Sequence, residues 1–161
     1  VSNSEAFGQD YQTFGYWVDG LSSGTVTVAS LGARTPDSNL PDARGATYLG
    51  TVIGLLDVTG TDYTTEARIR IDTDFSDVTV ETRNTQLIDI DSRAIVGPSP
   101  DLDFSGAGSV TGAGFQASVA GSAGTGDVTG TFYGPGAEEV GGTFALDRPD
   151  GSYIGAFGAQ R

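Results

Sequence analysis

Short runs of alternating apolar and polar residues, separated by Gly, Asp, Asn or Pro, recur along almost the whole chain, and no stretch repeats at the spacing of an amphipathic helix. Ten such runs read as strands: YQTFGYWV (11–18), TVTVASL (25–31), ATYLGTVIGLL (46–56), TEARIRIDT (65–73), DVTVETR (77–83), LDFSGAGSV (102–110), GFQASVAG (114–121), GDVTGTFYG (126–134), GGTFAL (141–146) and SYIGAFGA (152–159). Many short strands with close turns predict an all-β sandwich or barrel. Glycine at alternate strand positions, as in VTGTFYG and YIGAFG, suits a tightly curved barrel in which backbones and large side chains approach closely. RTPDSNLPDARG (34–45) and NTQLIDIDSRAIVGPSPD (84–101) read as the two long irregular loops. With no shift in composition along the 161 residues, one domain is expected.

The hairpin TEARIRIDTDFSDVTVET allows a register to be argued. Ala67, Ile69 and Ile71 face one way, as do Val78 and Val80 across the turn. Arg68 opposite Glu81 also sets Glu66 opposite Arg83, whereas a competing register opposes Arg70 to Arg83 and Asp72 to Glu81. Like charges directly opposed are unfavourable, so the first register is expected.

Composition removes most chemistry. The chain has no Cys, His, Met or Lys, and all eight basic residues are Arg. Disulfides, thiolate or imidazole metal sites, Ser–His triads, Schiff-base lysines and Walker-type phosphate loops are therefore excluded. A formal charge of −13, from 21 acids against 8 arginines, disfavours nucleic acid and anionic lipid as partners. No apolar run reaches the roughly 20 residues of a membrane-spanning helix.

The stretch FYGPGAEEVGGTF (132–144) interrupts the strand pattern with Pro135 and the adjacent carboxylates Glu138 and Glu139. Pro135 stops the preceding strand and can start a short helical turn over Pro135–Val140, with both acids near its positive end. A closing turn explains the pair better than catalysis does. The motif, continued by Gly155, Ala156, Phe157, Gly158 and Arg161, closely resembles the C-terminal signature of transferrin-binding protein B-like β-barrel domains. These belong to a family of surface lipoproteins and secreted solute-binding relatives. The specific match covers 130–161, on Phe132, Tyr133, Gly134, Pro135, Ala137, Glu138, Glu139, Gly141, Gly142 and Phe144 and the residues just named. A looser match of strand order and YQTFGYW reaches back to Tyr11.

The resemblance implies an eight-stranded antiparallel barrel over 45–161, preceded by two additional N-terminal strands and a loop over 1–44. It also implies a non-enzymatic bacterial binding module at the outer-membrane surface or secreted, whose ligand is a protein or an iron or haem carrier. A lipid anchor is not visible in this chain, which has no Cys to carry one.

Other residues remain candidates. Carboxylate pairs at Asp72/Asp74, Asp89/Asp91 and Asp101/Asp103 raise the question of a hard cation; for Ca²⁺ the candidates are Asp89, Asp91, Asp101 and Asp103, although no EF-hand spacing accompanies them. Alternating acids on a solvated strand face are the commoner reading. No other cofactor is expected, since only Tyr could ligate haem. Phe14, Tyr16 and Trp17 form an aromatic cluster that would serve either as an interaction surface or as a buried packing strand. The alternative to a binding module is a self-assembling structural subunit that lends its N-terminal segment to a neighbour as a strand.

Overall fold

The computed structural model describes residues 2–19, 25–42, 44–58 and 61–161. All ten expected strands are present among them, together with two more, Ser2–Gly8 (β1) and Ile95–Pro98 (β7). The others are β2 (Gln12–Asp19), β3 (Thr25–Gly32), β4 (Ala46–Val58), β5 (Thr61–Thr73), β6 (Asp77–Asp89), β8 (Phe104–Thr111), β9 (Gly114–Gly121), β10 (Gly124–Tyr133), β11 (Glu139–Arg148) and β12 (Gly151–Gln160). Antiparallel pairing runs β5–β4–β12–β11–β10–β9–β8–β6, and β5 pairs with β6 to close an eight-stranded barrel. The N-terminal part holds three strands rather than two, forming a separate sheet in the order β1–β2–β3.

Period-2 alternation sends Tyr48, Val52 and Leu56 of β4, Ile69 and Ile71 of β5, Val128 and Phe132 of β10, and Tyr153 and Phe157 of β12 into one buried interior. Glycine makes room for the rings: a Cβ on Gly130 would lie 2.2 Å from the Phe115 ring. Ring-to-ring contacts link Phe104, Phe144 and Tyr153, with centroids 5.1 and 4.9 Å apart. Each fully buried ring contributes about 1.5–3 kcal/mol.

A second apolar layer lies outside the barrel wall. Phe14, Tyr16 and Val18 of β2 pack with Ile53 and Leu55 of β4, Ala156 of β12 and Ile90. Phe7 of β1 stacks on Phe14 at 5.5 Å. The fit again depends on a missing side chain, because a Cβ on Gly158 would sit 2.4 Å from the Phe14 ring.

The β5–β6 register differs from the one expected: Arg70 faces Glu81, and Arg68 faces Arg83. Turn chemistry overrides the charge pattern here. Asp74 Oδ1 accepts from the Ser76 and Asp77 amides at 2.9 and 2.8 Å, and Thr73 Oγ1 donates to the Asp77 carbonyl at 2.6 Å. Those bonds pin Thr73 opposite Val78 and place Phe75 at φ 65°. The like-charged arginines are tolerated because Glu81 pairs with Arg83 at 2.7 Å, and exposed charges repel only weakly.

A bulge at Asn84 (φ 60°) and Thr85 lets β6 change neighbours, from β8 over 77–81 to β7 over 86–88. The stretch expected as a loop over 84–101 is thus partly sheet. The helical turn expected over Pro135–Val140 is instead a tight turn over 134–137, with Glu139 already in β11. The 3-10 turns among the described residues lie at Asp37–Asn39 and Pro100–Leu102.

Docking of the small sheet through Phe14 has a direct consequence. Phe14→Ala should lower unfolding free energy by about 3–5 kcal/mol in urea denaturation. Gly158→Val should also destabilise by forcing the ring off the wall, and an unchanged midpoint for both would show that this layer carries no stability.

Candidate functional site

The tail motif closes one end of the barrel. β10 ends at Tyr133, and the chain reverses through Gly134 (φ 89°) and Ala137 (φ 61°). Glu138 serves its own turn, its Oε2 accepting from the Gly136 amide at 2.8 Å. Glu139, only 3% exposed, points elsewhere: Oε1 accepts from the Asp10 amide at 2.8 Å and Oε2 from the Tyr11 amide at 3.1 Å. The two neighbouring carboxylates therefore share no reaction centre, and one of them fastens the β1–β2 turn to the barrel. Buried Gln12 adds to this clasp, donating to the Val140 carbonyl at 2.8 Å and accepting from Ser30 Oγ at 3.0 Å.

The segment after β3 is held to the same end. Thr35 donates through Oγ1 to the Gly134 carbonyl at 2.7 Å, and its amide donates to the Phe132 carbonyl at 2.9 Å. Asp37 accepts from the Ala113 amide at 3.0 Å, tying this segment to the β8–β9 turn. Arg161 donates to the Gly136 carbonyl at 2.7 Å, so the basic end of the motif completes the cap.

Beneath the cap, the Tyr48 hydroxyl donates to the Ala137 carbonyl at 2.6 Å. Burial pushes its ionisation up to about 12, with the Arg161 guanidinium lowering it and the Glu138 carboxylate raising it. Burial also raises Tyr153 above the ordinary tyrosine range, while a hydrogen bond with Thr65 acts the other way. These groups are neutral parts of a packed interior.

The Ca²⁺ candidates are spread through local hydrogen bonds. Asp89 Oδ1 accepts from the amide and hydroxyl of Ser92 at 2.8 and 2.7 Å, and those bonds lower its pKa. Asp101 accepts from Ser99 Oγ at 3.0 Å, and Asp103 accepts from Thr85 Oγ1 at 2.6 Å across the bulge. Asp91 is exposed. No group of three or more acids among the described residues converges as a cation site. Asp72 is engaged by Arg70 and Thr47, and Asp74 by its own turn.

The aromatic cluster divides by strand face. Phe14 and Tyr16 are 1% and 0% exposed against the barrel wall, so a partner cannot reach them while the sheet is docked. Trp17 points outward and is 41% exposed. In register beside it lie Thr27, Ala29 and Leu31 of β3, which face Trp17, Gly15 and Thr13. Leu31 is 66% exposed. This face has an aromatic and an aliphatic anchor and none of the chain's many charges at these positions. The sequence pattern signalled the aromatics but not Leu31, whose side becomes clear only from the β2–β3 register.

A family model described as the C-lobe and N-lobe β-barrels of Tf-binding protein B matches residues 40–161. The fold is similar to that of transferrin-binding protein B from Haemophilus parasuis Hp5, at TM-score 0.68 and 20% identity, over 99% of this chain and 37% of that one. It is also similar to the haemoglobin receptor HpuA of Kingella denitrificans, at TM-score 0.60 and 18% identity, over 95% of this chain and 55% of that one. The N-lobe domain of lactoferrin-binding protein B from Moraxella bovis matches at TM-score 0.62 and 14% identity, over 99% of this chain and 79% of that one. The chain thus spans well under half the length of the transferrin-binding protein B it matches. No curated protein sequence matches it. No helix among the described residues is long and apolar enough to cross a membrane.

Glu139→Ala would leave the Asp10 and Tyr11 amides without their acceptor and should cost about 1–3 kcal/mol, while Glu138→Ala should cost clearly less. Urea midpoints of the two variants check the asymmetry. Tyr48 supplies a pH test. An unfolded tyrosine ionises near 10, so above that pH the unfolded state sheds a proton that the folded state keeps. Stability should be intact below about pH 10 and fall as pH rises toward about 12, by up to about 1.4 kcal/mol per pH unit for this group. Tyr48→Phe should flatten that fall in pH-dependent urea denaturation.

Proposed function

Because the chain belongs to the family of transferrin-binding protein B β-barrel lobes, we propose that it is a non-enzymatic binding module of a bacterial cell surface, or secreted from it, whose ligand is an iron- or haem-carrying protein. The observation that carries this reading is the exposure of Trp17 and Leu31 on the outer face of the N-terminal sheet, beside the uncharged Thr27 and Ala29, on a chain of net charge −13. Exposed Trp on a rigid support is the residue type most enriched at binding hot spots. The support here is firm, since alternate residues of the same strand are buried in the barrel wall. The binding role in the relatives' names, for transferrin, haemoglobin and lactoferrin, supports the same ligand class.

Strand exchange with a neighbour is the less favoured reading. The aromatic side chains that would have to be buried in a second copy, Phe7, Phe14 and Tyr16, already pack within their own chain. A sedimentation series over a wide concentration range should give a monomer, and a stable oligomer lost on deleting 1–18 would favour exchange instead.

The binding test uses immobilised transferrin, lactoferrin and haemoglobin as probes. At least one should bind, and Trp17→Ala should weaken it by about 30-fold or more, the effect of a hot-spot residue. Trp17 is exposed, so the variant should keep its melting temperature. If no carrier binds, or if Trp17→Ala binds as the native chain does, the proposed ligand class or the proposed face is wrong, respectively.

A further inference from the structure

A second feature, on the barrel wall and away from the Trp17 face, has the chemistry of a small-ligand site. Three acid–arginine pairs two residues apart on one strand or turn close into ion pairs: Arg70–Asp72 at 2.6 Å, Glu81–Arg83 at 2.7 Å and Arg148–Asp150 at 3.0 Å. Glu66 and Arg68 on β5 have the same spacing and the same outward face, yet neither forms an ion pair or side-chain hydrogen bond among the described residues. Between and beside them is a hollow of about 300 Å³ lined by Thr51, Glu66, Ala67, Arg68, Asn84 and Gln86.

The positions of these groups follow from the register. Arg68 faces Arg83, and Glu66 faces Gln86. The extra residue of the bulge turns Asn84, at φ 60°, out between the two levels. Bulges commonly re-aim side chains at functional positions. One level of the hollow therefore offers donors, the free fork of Arg68 and the Asn84 amide. The other level presents the Glu66 carboxylate and the Gln86 side-chain amide. The Cα atoms of Glu66 and Arg68 stand roughly 7 Å apart along the strand.

We propose that this hollow binds a small zwitterion, an amino acid or a short peptide. Its carboxylate is held by Arg68 and Asn84, and its ammonium group by Glu66 and Gln86. A carboxylate seated there also gives Arg68 the ionic partner it lacks, and an ammonium group neutralises the unpaired Glu66. A simple anion would satisfy only the first level and would face Glu66, which selects against it.

The probes are glycine and glycylglycine, with acetate and methylammonium as half-ligands, titrated into ¹⁵N-labelled full chain by NMR. At least one zwitterion should shift the amides of Glu66, Arg68, Asn84 and Gln86 in a saturable way. Each half-ligand should bind at least about tenfold more weakly, since it forfeits one set of charge-assisted bonds. Comparing glycine with glycylglycine tells a free amino acid from a peptide. Glu66→Gln and Arg68→Gln should each weaken zwitterion binding by a similar factor, with the remaining spectrum and the melting temperature unchanged, as befits exposed positions. Absence of a saturable shift, acetate binding as tightly as the zwitterions, or binding untouched by either substitution would overturn the proposal.

Discussion

Closure of the barrel is the constraint on which everything else rests. Once β5 pairs with β6 and β12 with β4, the eight strands have no free edge among themselves, and their backbone groups are satisfied within the sheet. A closed sheet of this size must then fill its interior with side chains. It does so by setting rings against glycines on neighbouring strands, as with Phe115 over Gly130. Large and small positions are matched across strands, so glycine content is a packing requirement here and not a sign of looseness.

The outer wall inherits the consequence. An interior filled with rings leaves recognition to the outside, and β4 and β12 carry apolar residues on both faces: Tyr48 and Val52 inward, Ile53 and Leu55 outward. Those outward residues are covered by β2. The buried carboxylate of Glu139 and the amide of Gln12 then set where the small sheet lies, through directional bonds that apolar contact alone does not supply. Trp17 is exposed because Phe14, Tyr16 and Val18 are not.

Much of this was legible in the sequence. Alternation located ten strands, and the tail motif implied a barrel with its closing turn. What was not legible depended on contacts between distant positions. The strand Ser2–Gly8 has an unremarkable pattern and exists by pairing with β2. Ile95–Pro98 is short and contains Gly and Pro, which argue against a strand, yet it is held by the displaced end of β6. The β5–β6 register is set by the Asp74 and Thr73 turn bonds, which outweigh exposed charge pairs worth about 0–1 kcal/mol and leave no mark in the charge pattern. Glu138 and Glu139 read as one feature, and only the fold gives them separate duties. The four aspartates between 89 and 103 likewise looked like a cluster in sequence; Asp89 and Asp101 are spent on local bonds and Asp103 on the bulge, while Asp91 is exposed.

The Glu139 clasp also fixes an order of events. It joins residues 129 and 128 positions apart, and the barrel seam joins Gln160 to Leu49. Contacts of such long sequence separation make folding slow. A chain that emerges N-terminus first cannot seat the β1–β3 sheet until β11 has appeared, or seal the barrel until β12 has. Until then β2 displays Phe14 and Tyr16 together with Trp17, and the growing sheet has two open edges. These strands are therefore open to proteolysis and aggregation from the appearance of β2 until β12 has joined the barrel.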